Sequence, residues 1–65
     1  MISYQPLWNL MKEKNITTYY LLKHGIGKKT LYNLQHNKNA TLLTIEKLCI
    51  ILDCDVKDIV TFKKE

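Results

Sequence analysis

Arginine is absent from this chain: all ten basic residues among its 65 are lysine. The planar guanidinium fork is therefore missing, and any anion must be met by flexible point charges. Glycine, with two residues, and proline, with one, are almost as scarce. Valine, isoleucine and threonine do not alternate with polar residues over any useful length, so the turn-rich, period-two signature of a sandwich or barrel is lacking. Only two cysteines occur, Cys49 and Cys54, too few for the disulfide framework of a secreted miniprotein. Zinc needs four ligands, commonly in close pairs. The other soft ligands, His24 and His36, are not brought near the cysteines by the pattern. Two reduced, buried cysteines acting as small hydrophobes are expected.

No apolar run approaches the roughly 18–20 residues of a membrane span. The N-terminal MISYQPLW lacks the charged region and apolar core of a secretory signal. An intracellular, cytoplasmic protein without a membrane partner is the expectation. An apolar share of 46% excludes a disordered tail, and 65 residues make a single domain, 1–65, around one modest core. Catalysis is not expected. There is no paired-carboxylate pocket, no nucleophile–base spacing and no phosphate-binding glycine loop, so no cofactor, metal or small-molecule substrate is inferred.

Charge is unevenly placed. Residues 1–40 carry six lysines against Glu13 alone, a net +5, whereas residues 41–65 carry four lysines against five acids, a net −1. Such asymmetry fits an N-terminal part facing a polyanion, although a solvated lysine surface would look the same.

The dominant period is helical. A first helix runs from about Gln5 to Lys14, with Pro6 in its first turn, Leu7, Leu10 and Met11 on one face, and Asn15 closing it. A second, Tyr19 to His24, is capped by Thr17 or Thr18, with Ile16 placed to staple onto Leu21. Gly25 stops it. The third runs from about Lys28 to His36 behind Gly27, with Ile26, Leu31 and Leu34 as its apolar points. Thr41 caps a fourth, Leu42 to Leu52, whose stripe is Leu42, Ile45, Leu48, Cys49 and Leu52. Asp55 caps a short fifth, Val56 to about Phe62, with Val56, Ile59 and Val60 inward. Lys63-Lys64-Glu65 is expected to fray.

The segment TTYYLLKHGIGKKTLYNLQHNKN carries the functional signal. A short helix, a glycine turn and a nine-residue helix make a helix-turn-helix over about 17–36. Gly25 permits the reversal, Ile26 plugs the angle between the helices, and Leu31 and Leu34 fasten the second helix to the core. Its opposite face, with Lys28, Lys29, Tyr32, Asn33 and His36, is left to enter a groove.

On these residues the sequence resembles the Cro/cI-type, or xenobiotic-response-element, helix-turn-helix family of bacterial and phage regulators. LMKEKNITTYYL is similar to the end of the family's first helix and the start of its second. HGIGKKTLYNLQHNKN is similar to the turn and recognition helix, and TLLTIEKLCIILDCDVKDIV to the last two helices. The resemblance implies an all-α, five-helix, lambda-repressor-like domain. Three departures stand out: the second helix is one residue shorter before Gly25, Gly27 replaces the common serine, and tyrosines stand where the family often has charged or amide residues.

What the resemblance implies at the site is base contact by Lys28, Lys29, Tyr32 and Asn33, with His36 a further candidate. Lysine can donate to guanine O6 or N7, and asparagine can pair bidentately with adenine. Thr17 and Thr18 at the second-helix start, and Lys38 and Asn39 in the loop after the third helix, would meet phosphates. Each has a plainer reading. Tyr32 could pack on the first helix or the following loop, and His36 and His24 could simply end helices. Tyr19 and Tyr20 are expected to divide between core and surface.

Leu43 and Ile50, seven apart and off the main stripe of the fourth helix, suggest a second apolar surface. Trp8 stands off its helix face in the same way. A two-fold homodimer contact through Leu43 and Ile50, with Phe62 and Trp8, is the expectation. The function expected is a sequence-specific, double-stranded DNA-binding transcriptional regulator, a repressor, acting as a dimer on two half-sites. The alternatives are a protein-interaction module on the same fold, such as an anti-repressor, phage-encoded inhibitor or antitoxin, and a non-specific nucleic-acid binder.

Overall fold

Helices form where the apolar period and the caps place them. In the computed structural model, which describes residues 1–63, α1 spans Gln5–Glu13, α2 Thr18–Lys23, α3 Lys28–Gln35 and α4 Leu42–Leu52. Thr17 caps α2 by accepting the Tyr20 N–H at 3.3 Å, and Thr41 caps α4 by accepting the Thr44 N–H at 3.1 Å. Each hydroxyl satisfies a backbone donor that the helix itself leaves orphaned. At α1 a different residue serves: Ser3 Oγ accepts from the Gln5 N–H at 3.2 Å.

All four helices end by one device. Asn15, Gly25, Asn37 and Asp53 have positive φ, and the residue after each donates its N–H back to the carbonyl five positions earlier. These bonds are Ile16 to Met11 at 2.8 Å, Ile26 to Leu21 at 3.0 Å, Lys38 to Asn33 at 2.8 Å and Cys54 to Cys49 at 3.0 Å. This is the Schellman closure, which brings the two bonded residues' side chains together across the helix end. It explains why Ile16 and Ile26 pack on the core, and why Cys54 meets Cys49. Both cysteines are free and half-buried. Burial first, then the neighbouring Cys49, pushes the Cys54 thiol up to about 11, so at neutral pH it stays protonated and packs as a small hydrophobe. Among the described residues no cluster of metal-ligating side chains forms, and no helix is long and apolar enough to cross a membrane.

The expected fifth helix is not there. Residues Val56–Asp58 form one 3-10 turn, after which Thr61–Phe62 form a strand, β2, paired antiparallel with Ile2–Ser3, β1. The Asp58 carboxylate holds the turn by accepting the Asp55 N–H at 3.1 Å. Beyond it Ile59, Val60, Thr61 and Phe62 are β-branched or aromatic, which suits an extended chain better than a helix. β1 supplies the partner that such a chain needs. Met1 and Lys63 exchange hydrogen bonds at 2.9 and 2.7 Å, closing the ladder. Ile59 is inward as expected and Val60 half-buried, but Val56 is exposed. Lys64 and Glu65, part of the expected frayed end, lie outside the described residues.

Leu7, Met11, Leu21, Ile26, Leu31, Leu34, Ile45, Leu48, Leu52 and Ile59 form one core. Its tyrosine is Tyr4. Tyr19 and Tyr20 are both exposed, correcting the expectation that one of them is core. Leu42, assigned to the α4 stripe, is 84% exposed at the first residue of the helix. Tyr4 Oη donates to the Lys38 carbonyl at 2.8 Å, and the Tyr4 N–H donates to Asn37 Oδ1 at 3.0 Å. The start of the chain is thereby tied to the end of α3. Burial raises the Tyr4 phenol above its usual value, so it remains a donor.

Tyr4→Phe removes that donor and strands a carbonyl while keeping the ring. It is expected to lower unfolding stability by about 1–2 kcal/mol in chemical denaturation. Tyr4→Ala, which also opens a cavity, is expected to cost about 3–5 kcal/mol.

Candidate nucleic-acid interface

The helix-turn-helix is built by α2, the turn Gly25–Gly27 and α3. Gly25 has φ +97°, well beyond the 51–57° of the three other helix stops, where asparagine and aspartate are tolerated. A Cβ at Gly25 would also lie 2.7 Å from Lys47 Nζ. That ammonium reaches over from α4 to donate to the Gly25 carbonyl at 3.1 Å. The turn is therefore held from three sides: by its own left-handed residue, by the buried Ile26 plug and by Lys47. Lys14 does similar work elsewhere, donating to the Leu52 carbonyl at the end of α4 at 2.7 Å. Both lysines favour helix C-terminal carbonyls, where the macrodipole is negative.

On α3, Leu31 and Leu34 are buried. At 100° per residue, Lys28, Lys29, Tyr32 and His36 fall within an arc of about 100° facing the other way. All four are exposed, and Asn33 is half-buried at the edge of that arc. Gly27 caps α3 without a side chain, and no acid stands in its first turn. The first N–H groups of α3 and two lysines thus point outward together, an arrangement that favours an anion.

Tyr32 does two things at once. Its ring is half exposed, and it stacks on His36 with centroids 4.1 Å apart. Lys38 Nζ sits 5.5 Å from the same ring. The imidazole Nδ1 lies 2.9 Å from the Tyr32 carbonyl, so His36, which ends α3, also caps it. His24 ends α2, with its ring 4.2 Å from that of Tyr20. The structure brings Lys28, Lys29, Tyr32, His36 and Lys38 to one surface. Asn39 is exposed in the adjoining loop. Thr17 and Thr18 are exposed at the start of α2, with the Thr17 hydroxyl oxygen already accepting one bond.

Two residues escaped the sequence reading. Lys47 has no local signal, because its partner lies 22 positions away. Lys23, exposed on α2 with Nζ 5.7 Å from the Tyr19 ring, adds a cation beside the turn. A Tyr–His spacing of four, at 20/24 and 32/36, makes helical neighbours of both pairs. Of the expected dimer residues, Leu43, Ile50 and Phe62 are exposed, whereas Trp8 is half-buried against the core.

Known proteins give the same outline. Residues 6–65 match the model of a family described as Cro/C1-type HTH DNA-binding domain. The crystal structure of the transcriptional regulator VanUg, in its form II, superposes with a TM-score of 0.89 at 29% identity. That similarity covers 98% of this chain and 87% of the other. No curated protein sequence matches the chain.

The two glycines should respond oppositely to substitution. Gly25→Ala, forced to a φ that L-residues avoid and into Lys47, is expected to cost about 1–3 kcal/mol in chemical denaturation. Gly27→Ser, at φ −71° with open space around it, is expected to add several tenths to about 1 kcal/mol by capping α3 and restricting the unfolded chain.

Proposed function

This chain belongs to the Cro/C1-type helix-turn-helix DNA-binding family, and on that footing we propose that it is a sequence-specific bacterial or phage transcriptional repressor. In this reading α3 enters the major groove, Lys28, Lys29, Tyr32 and Asn33 meet base edges, and His36 flanks them. Thr17, Thr18, Lys38 and Asn39 bind phosphates on either side, and Lys23 joins them. The observation that carries the reading is the exposed arc of Lys28, Lys29, Tyr32 and His36 on a helix whose other face is locked into the core. A major groove about 12 Å wide accepts one such helix.

Lysines in place of arginines make the charge term large and the base term small. A lysine neutralises a phosphate as well as an arginine does, but it lacks the bidentate fork that reads guanine. One copy should therefore bind duplex DNA with steep salt dependence and modest discrimination. Two copies on half-sites one helical turn apart would multiply that discrimination. Repression would follow from occupying a promoter inside the cell.

The exposed Leu43 and Ile50 favour a second reading, in which the same fold docks on a protein. The two readings differ in what the lysines do. On a mixed-sequence duplex, Lys23→Ala with Lys38→Ala, at the phosphate-facing positions, is expected to lower the slope of log affinity against log salt by about two. Asn33→Ala should leave that slope unchanged. Titration by fluorescence anisotropy at several salt concentrations checks both. An unaltered slope in the double lysine variant would remove Lys23 and Lys38 from the phosphates and count against the DNA reading.

A further inference from the structure

We propose that Cys49 and Cys54 form a dithiol site that a low-molecular-weight disulfide closes into an intramolecular disulfide, a reversible covalent staple across the stop of α4. The inference stands apart from how α3 meets DNA, and it gives the two cysteines a chemistry beyond their part in packing.

Each helix stop joins a residue to the one five positions later, and the pairs so joined are Met11–Ile16, Leu21–Ile26, Asn33–Lys38 and Cys49–Cys54. The chain has two cysteines, and they fall at the two ends of one such bond. A carbonyl oxygen lies about 2.4 Å from its own Cα, and an amide nitrogen about 1.5 Å from its own. With 3.0 Å between the Cys54 nitrogen and the Cys49 oxygen, the two Cα atoms are at most about 7 Å apart even in line. The bends at oxygen and nitrogen bring them nearer, into the roughly 4.4–6.8 Å that a disulfide spans. The side chains also face each other, since the Cys54 thiol is within hydrogen-bonding reach of the Cys49 sulfur.

Both thiols are half-buried, sheltered enough to hold one geometry and open enough for a small reagent to reach. Burial, then Cys49 and Asp58, hold the proton on Cys54, with Lys14 opposing them. Cys49 is therefore the sulfur that attacks first. Its thiolate displaces one thiolate from the oxidant RSSR, which leaves a Cys49–S–S–R mixed disulfide. The Cys54 sulfur then attacks the Cys49 sulfur and expels the second thiolate. The two expelled thiolates take up the protons that the two cysteines lose. Two protein thiols are oxidised, and one RSSR is reduced to two RSH.

The staple falls where the C-terminal segment leaves α4. Just before Cys54, the Leu52 carbonyl accepts from Lys14 Nζ at 2.7 Å, and just after it the Asp58 carboxylate accepts the Asp55 N–H at 3.1 Å. The buried Ile59 and β2 follow. With free thiols, this joint is held by hydrogen bonds and packing alone. A cross-link removes open conformations from the unfolded chain while the folded joint keeps its geometry. One core in 65 residues leaves little stability in reserve, so a single covalent tie weighs heavily. In a reducing compartment the pair rests as thiols, and a disulfide there is a transient, redox-sensing state.

The test equilibrates the wild-type chain with reduced and oxidised glutathione, in native buffer and again in guanidinium chloride, and reads acid-quenched samples by mass spectrometry. By linkage, whatever factor the disulfide adds to folding, folding adds to the disulfide. The thiol–disulfide equilibrium constant of the folded chain is expected to exceed that of the unfolded chain by about tenfold or more. The oxidised chain should lack two hydrogens, and its thermal midpoint should lie at least about 4 °C above that of the reduced chain. Cys54→Ala should collect one glutathione on Cys49. Cys49→Ala, whose remaining thiol is the one that burial keeps protonated, should collect it more slowly. An equilibrium constant no larger in the folded chain than in the unfolded one overturns the proposal. So does a folded chain that takes two glutathiones without an internal disulfide, one whose thiols do not react, or a disulfide that lowers the midpoint. Equal rates in the two alanine variants would overturn the order of attack.

Discussion

A left-handed residue stops each of the four α-helices, and the carbonyl freed five positions before the next residue is taken by that residue's N–H. Almost everything else depends on where those four stops fall. Each reverses the chain within two residues, and three of them turn an apolar side chain inward: Ile16 after α1, Ile26 after α2, Cys54 after α4. After α3 the residue so placed is Lys38, which goes instead to the Tyr32 ring on the exposed face of α3. A closure that elsewhere builds core here delivers a cation. The same backbone device serves packing three times and the exposed face of α3 once.

The second stop is the most demanding. At Asn15, Asn37 and Asp53 the backbone lies where a polar side chain is tolerated, but at Gly25 it is turned further and Lys47 occupies the space a side chain would need. The reach of Lys47 couples the turn to α4, and the bond from Lys14 to the Leu52 carbonyl couples α4 to α1. Tyr4 completes the circuit by tying the chain start to residues 37 and 38. The pose of α3 is thus set by long-range contacts from three other segments, although α3 is only eight residues long. Such a short helix has little stability of its own and takes its geometry from packing.

What was legible in the sequence follows from range. Thr17, Thr41, Pro6 and the apolar spacing act within a few residues, and they mark the bounds of the four α-helices to within one residue. The terminal strands act across some sixty positions, from Ile2 to Phe62, so the segment Val56–Phe62 read as a helix when its partner was out of view. Tyr4 was invisible for the same reason, since nothing local distinguishes a core tyrosine from the exposed Tyr19 and Tyr20. Which face of α3 is buried and which exposed was legible, because helical periodicity alone separates Leu31 and Leu34 from Lys28, Lys29 and Tyr32. The contact of Lys47 could not be read, because it arises only when α4 packs against the turn after α2.

The account makes α3 a reader of DNA sequence that works as one half of a pair. Selection of bound molecules from a random-duplex library at physiological salt, followed by sequencing, tests this most directly. The account predicts enrichment of an inverted repeat whose half-site centres lie about 10 base pairs, or a multiple of that, apart. A bound pool with the composition of the input, or no retained duplex at all, would contradict it.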